Sequence, residues 1–179
     1  MKLALVFASL LVLPPQEKEI DNPEFQGWKG LKPGSWVRTK TAMDLGPIQT
    51  ETITVAKLIE GSDDKVVLEL AITTTVAGAE MKRDPEQVTV RSRIRETQLT
   101  AEGGKFTKSA EGEETIEVLG RKMKCRWIEG KVEKDNLKGK GKTWFHPDIV
   151  GGVAKSTFKI EEPIQATAET AVVETRLKE

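Results

Sequence analysis

The chain has 179 residues, and its 28 Lys and Arg balance 28 Asp and Glu, so the formal net charge is zero and gives no overall pull toward nucleic acid or anionic membranes. At 37% apolar and 31% charged residues it reads as a soluble globular domain, which argues against a disordered tail or an integral membrane protein. One His, one Cys and no Tyr leave the usual catalytic side chains nearly missing.

Residues 1–16 read as an export signal. Met1-Lys2 is a short positive start, and Leu3 to Leu13 is an apolar run of eleven residues, whereas a bilayer span needs about 20. No small residues at A-x-A spacing precede Pro14-Pro15-Gln16, so an uncleaved anchor or a buried strand is the competing reading. Because Cys125 is the only Cys, no lipid-modified Cys follows the run, which argues against a lipoprotein.

Residues 17–34 carry Asn22-Pro23, Gly27-Trp28, Gly30 and Lys32-Pro33-Gly34 and predict a loop with turns. From Ser35 the pattern alternates with period two. Strands are predicted at 35–43, 48–60, 65–76 and 87–95, with Gly61-Ser62-Asp63-Asp64 closing a hairpin. In 65–76 the side chains of Val66, Leu68, Leu70, Ile72 and Val76 share one face. In 48–60 the apolar residues fall on both parities, which predicts a bulge or burial on two sides. Residues 96–112 are polar and read as a mobile connection.

The second half predicts strands at 112–119, 122–127, 137–145, 153–160 and 165–177. A two-residue type II′ turn at Gly120-Arg121 would set Val118 opposite Met123, Ile116 opposite Cys125 and Glu117 opposite Lys124. No segment beyond the signal shows a helical period.

Three constellations have simpler readings. Cys125, His146 and Asp148 match a thiol triad by type, but Cys125 shares the buried parity of Met123 and Trp127, where a Cys is an inert small hydrophobe. Lys138-Gly139-Lys140-Gly141-Lys142-Thr143 resembles the end of a phosphate loop, yet Asn136 stands at the first glycine and no helix follows. His146 has no ligand partners at metal-site spacing, and there is no Asp-rich calcium loop. Carboxylate pairs such as Glu113-Glu114 point to opposite faces of a strand. The expectation is a non-enzyme with no cofactor and no metal.

Three cation ladders stand out: Arg91, Arg93 and Arg95; Lys122, Lys124 and Arg126; Lys138, Lys140 and Lys142. On neighbouring strands they would make one basic surface for anionic lipids or polyanions. The alternative is that acids on adjacent strands neutralise each ladder.

The stretch from Trp28-Lys29-Gly30 through Lys32-Pro33-Gly34-Ser35-Trp36-Val37, the block Gly112 to Val118 with Gly120, Cys125 and Trp127, and the segment from Trp144 to Gly151-Gly152-Val153-Ala154-Lys155 together resemble a group of small exported bacterial proteins of unknown function. The resemblance spans residues 20–179 and implies no activity or site residue. Ile149-Val150 stands where a Pro is expected before the two glycines. By strand succession the chain also resembles LolA-like half-barrel carriers of lipids and lipoproteins, without their lid helices.

The fold expected is all-β: one curved antiparallel sheet of about eight to ten strands, a half-barrel or open barrel, over residues 35–179. The function expected is a binding or carrier module in the periplasm or cell envelope, holding an apolar or amphiphilic ligand such as a lipid, with Trp36, Trp127 and Phe158 as lining residues. The alternative is a structural or protein-interaction module of the envelope, with loops 17–34 and 96–112 covering the apolar surface. Neither reading involves nucleic acid or a stable transmembrane anchor, and the oligomeric state is left open.

Overall fold

The computed structural model describes residues 19–95, 105–134, 137–162 and 165–178. The expected signal segment, and residues 96–104 of the expected connection, lie outside the described residues. Strand accounts for 73% and helix for 4%, in one large antiparallel sheet that does not close into a barrel.

The elements run β1 (Glu19–Asp21), α1 (Pro23–Trp28), β2 (Trp36–Asp44), β3 (Gln49–Gly61), β4 (Lys65–Val76), β5 (Ala79–Lys82), β6 (Glu86–Arg91), β7 (Arg93–Arg95), β8 (Lys105–Val118), β9 (Arg121–Lys134), β10 (Leu137–Phe145), β11 (Val153–Glu162) and β12 (Ala166–Arg176). The large sheet has the order β5-β4-β3-β2-β12-β11-β10-β9-β8, with β6 also on β4, while β1 and β7 pair separately. Hairpins carry the chain outward from β2 to β4. It then passes from that edge to the opposite one, and β8 to β12 return by hairpins until β12 pairs with β2. The two halves of the sequence are thus stitched at the β2–β12 seam. β4 is long enough to serve both edge strands: Lys65 to Leu70 pair with β6 and Thr73 to Val76 with β5.

The segment 48–60 carries a register shift between Leu58 and Glu60. Ile59 is the extra residue there, but register is unbroken from Thr50 to Leu58, so the conflict itself is burial on two sides: Ala56 and Leu58 on one face, Ile53 and Val55 half-buried on the other.

Three expectations are corrected. Residues 105–112, expected within a mobile connection, are strand: β8 starts at Lys105 and pairs with β9 along its length. The segment 17–34 is not all loop: it holds β1 and α1. Asn22 caps α1, its side chain accepting from the Glu24 backbone N–H at 3.1 Å, and Pro23 takes the first helical position. Six residues are too few to show a helical period, so only the cap and Pro signal the helix. The hairpin turn is Leu119-Gly120, both at positive φ, and not Gly120-Arg121. Val118 pairs with Arg121, Glu117 with Lys122 and Ile116 with Met123. Positive φ at both central residues is the type I′ geometry, whose twist matches the strands better than its unprimed relatives. The true register differs from the expected one by two residues, and a slip of two preserves facing, so Cys125 keeps its buried side.

The core gathers where α1 lies on the sheet. Phe25 and Trp28 are 1% and 2% exposed and belong to one cluster with Val37, Leu58, Val66, Leu68, Val90 and Val172. The turn from His146 to Gly152 adds Ile149 and Val150 to that cluster. Gly27 sits against this turn so closely that a Cβ there would lie 2.0 Å from the Gly152 nitrogen. The Gly151 N–H donates to the Gly27 carbonyl at 3.1 Å. Asn22 ties the other end of α1 down, its side-chain amide donating to the Arg91 carbonyl at 2.9 Å.

Candidate functional site

Cross-strand register sorts the sheet into rows, and neighbouring rows face opposite sides. On the side that carries α1, away from the helix, two rows are largely apolar. One runs Phe106, Val132, Gly139, Ile160, Ala166. The next runs Gly130, Gly141, Phe158, Ala168, Met43, Thr50, Val76. Glycine makes room for the rings in these rows. A Cβ at Gly139 would meet the Phe158 ring at 2.7 Å, and one at Gly130 the Phe106 ring at 2.3 Å. Phe106, Val132, Ile160, Phe158, Met43 and Val76 are half-buried. The single described helix contacts β4 and β6 instead.

Between these rows and the closed core runs a row of hydroxyls: Thr143, Ser156, Thr170, Thr41, Thr52, Thr74. They bond in pairs, Thr41 with Thr170 at 2.8 Å, Thr52 with Thr74 at 3.2 Å and Thr143 with Ser156 at 3.3 Å. Because each hydroxyl spends a bond on its neighbour, this band is polar yet satisfied.

The opposite face carries charge. One row reads Glu129, Lys142, Thr157, Glu169, Ala42, Glu51, Thr75, and the next Lys131, Lys140, Lys159, Thr167, Asp44, Gln49. Apart from Lys131, these residues line an open cleft of about 950 Å³, together with residues of the Phe158 row that lies between them and with the turn at Ala77-Gly78. No residue of the hydroxyl row contributes, so the cleft opens on the charged side.

At the cleft's margin Lys142 Nζ lies 4.3 Å from the Trp127 ring centre and 4.5 Å from that of Trp144. It donates to Glu114 at 2.8 Å, and Trp144 Nε1 donates to the same carboxylate at 3.0 Å. The Lys142 bond, then the Trp144 bond, holds the Glu114 carboxyl below the usual carboxylate range. Lys155 pairs with Glu169 at 3.0 Å beside the same Trp144 ring.

The three aromatics expected to line a ligand site do not converge. Phe158 lies in the apolar row, Trp127 points to the charged face, and Trp36 opens β2 with the Arg38 guanidinium 5.8 Å from its ring. Sequence reasoning missed Met43, Val76, Phe106, Val132 and Ile160. The available signal was glycine at 130, 139 and 141 alternating with larger residues, which marks where a ring lies across a strand.

Cys125 is fully buried, and burial pushes its thiol pKa up, opposite to what activates a nucleophile. His146 Nδ1 accepts the Asp148 backbone N–H at 3.1 Å. The single nine-cation surface does not form. Lys140 and Lys142 pair with Lys131 and Glu129 of β9, so Lys122, Lys124 and Arg126 face the other way, and Arg91, Arg93 and Arg95 lie at the far edge. Acids meet the ladders: Glu113 on Lys124, Glu111 on Arg126 at 2.7 Å, Glu162 on Lys138 at 2.9 Å, and Glu19 on Arg93 at 3.7 Å.

No family model and no curated protein sequence matches the chain. Among solved structures it is similar to a Bacteroides fragilis protein considered to be exported, of YmcC-like fold. The identity is 10% and the TM-score 0.51, covering 82% of this chain and 97% of that one. That likeness shows a shared fold. A domain of a Vibrio parahaemolyticus protein considered to sort outer membrane lipoproteins aligns at 9% identity and a TM-score of 0.37, covering 87% of this chain and 89% of that one. No described helix is long and apolar enough to cross a membrane.

Proposed function

We propose that the chain is an exported, non-enzymatic binding or carrier module that holds an amphiphilic ligand against the apolar rows of Phe158 and Ile160. The observation that carries this reading is the half-burial of Phe106, Ile160, Phe158 and Met43 on a sheet face whose one described helix packs elsewhere. Apolar surface of this kind gains about 25 cal/mol per Å² when a ligand removes it from water. The hydroxyl row gives such a ligand a polar boundary, beyond which the packed core begins. Export is supported by the short apolar run at residues 3–13 and by the shared fold with a protein considered to be exported.

Native mass spectrometry of the purified protein, before and after organic extraction, tests the proposal. Extractable lipid-sized mass bound one to one is the expected result. An empty chain that also fails to take up monomeric short-chain amphiphile would overturn it, as would a stable oligomer that buries the apolar rows.

A further inference from the structure

The charged face follows a rule with one long exception. Along most of it, register sets opposite charges side by side: Lys138 lies between Glu133 and Glu162, and Lys142 beside Glu129. In the row between these, Lys140 pairs with Lys131 on one side and Lys159 on the other, which puts three lysines side by side across the strands. Directly opposed side chains stand roughly 5 Å apart at Cβ, and like charges there are destabilising. One carboxylate answers all three: Glu161 pairs with Lys140 at 3.0 Å, and Lys140, Lys159 and Lys131 together hold its carboxyl below the usual range. Among the described residues neither Lys131 nor Lys159 has an ion pair of its own. Lys140 and Lys159 line the cleft, and all three are exposed.

We propose that Lys131, Lys140 and Lys159 form the anion-binding end of the cleft and take a phosphoryl group, either on a small soluble molecule or on the headgroup of an anionic lipid. A solvated sheet face needs only alternating charge, as in the rows on either side. Three lysines sharing one acid are what a phosphoryl group bearing several acceptor oxygens would complete, each ammonium contributing donors as a point charge. The cleft supplies a concave wall that a flat sheet lacks, with the alkyl stems of the lysines beside it. This site lies on the face opposite the apolar rows and stands whether or not those rows hold a ligand.

Four probes titrated by calorimetry at low salt test it: inorganic phosphate, glycerol 3-phosphate, and monomeric dihexanoyl phosphatidylglycerol and dihexanoyl phosphatidylcholine. The anionic probes are expected to bind, with the phosphatidylcholine, which carries no net charge, about tenfold weaker than the phosphatidylglycerol and binding of the anionic probes weakening as salt rises. Glycerol 3-phosphate matching the phosphatidylglycerol would make the soluble group sufficient. Binding of the lipid alone would make a lipid headgroup the ligand. The double variant Lys140→Glu with Lys159→Glu should lose at least about tenfold in affinity, a change of about 1.4 kcal/mol. Lys140→Gln with Lys159→Gln should lose less, and Lys122→Gln, on the other face of β9, should leave anion binding unchanged. Unaltered affinity in both lysine variants, with native circular dichroism, would overturn the proposal, and so would failure of every anionic probe to bind.

Discussion

The two ends of the sheet differ in what lies on them, although both are built from the same alternating strands. Where β3, β4 and β6 meet α1, side chains are sealed: Trp28, Phe25, Leu58 and Leu68 are at most 2% exposed, and two backbone segments touch through Gly27 and Gly152. Beyond the hydroxyl row, Met43, Phe158 and Ile160 have a similar apolar character but stay half-buried. A period-two pattern fixes which face a residue joins. Whether that face is closed depends on what else the chain can lay over it, and among the described residues α1 and the turn at 146–152 lie over one end. Stability should therefore concentrate at the closed end and ligand response at the open one.

The comparison breaks most sharply at Trp28. Trp28→Ala should cost about 3 to 5 kcal/mol, seen as a large fall in the urea midpoint. Phe158→Ala removes a half-buried ring from the open end and should cost only about 1 to 2 kcal/mol, while abolishing uptake of a short-chain amphiphile. If the two variants were equally destabilised, the distinction between the ends would fail.

Leu119 sharpens it from outside both regions. A non-glycine residue at positive φ costs roughly 1 to 2 kcal/mol, which Asn tolerates better. Leu119→Asn should raise the melting temperature by a few degrees and leave amphiphile binding as it was.

Acid should move the two ends in opposite directions. At the charged face the folded carboxyls of Glu114 and Glu161 are held below their ordinary value by the lysines bonded to them. Their stabilisation is present above the unfolded carboxylate value and fades as pH falls through the lower folded one. Glu24 of α1 is the reverse case. Burial raises its carboxyl, so it contributes relatively more to stability once the pH is below its unfolded value, and that contribution is lost as pH rises through the folded one. The first effect is small because those ion pairs are exposed, and the second because Glu24, though crowded at its carboxyl, is exposed as a residue. Carboxyl carbon shifts followed by NMR from pH 7 to pH 3 should show Glu24 titrating before Glu114 and Glu161; the reverse order would contradict the assignment of their environments.

Much of the fold was legible because sheet faces are written in alternation. Val66, Leu68 and Leu70 declared their side, the turn at 61–64 declared its hairpin, and the parity conflict in 48–60 declared burial on both faces of β3. The site was less legible. Phe158 could be named as an apolar position in a strand, but its neighbours Met43 and Ala168 come from β2 and β12, which meet only through the seam between the chain's two halves. Pairing between strands remote in sequence leaves no local signature. For the same reason Trp36, Trp127 and Phe158, all aromatic and all in strands, could not be sorted onto different faces and ends. The lysine ladder at 138–142 was visible, but its meaning depended on Lys131 and Lys159, whose register with Lys140 only the folded sheet sets.

The central claim is that the apolar rows beyond the hydroxyl band form the open, ligand-responsive part of the sheet. Methyl and aromatic NMR shifts recorded while a monomeric short-chain amphiphile is titrated test it most directly. The account predicts saturable shifts at Met43, Phe158, Ile160 and Val132, with Leu58, Leu68 and Trp28 unmoved. Shifts centred on Trp28 and Leu58, or no saturable shift at any of these residues, would contradict it.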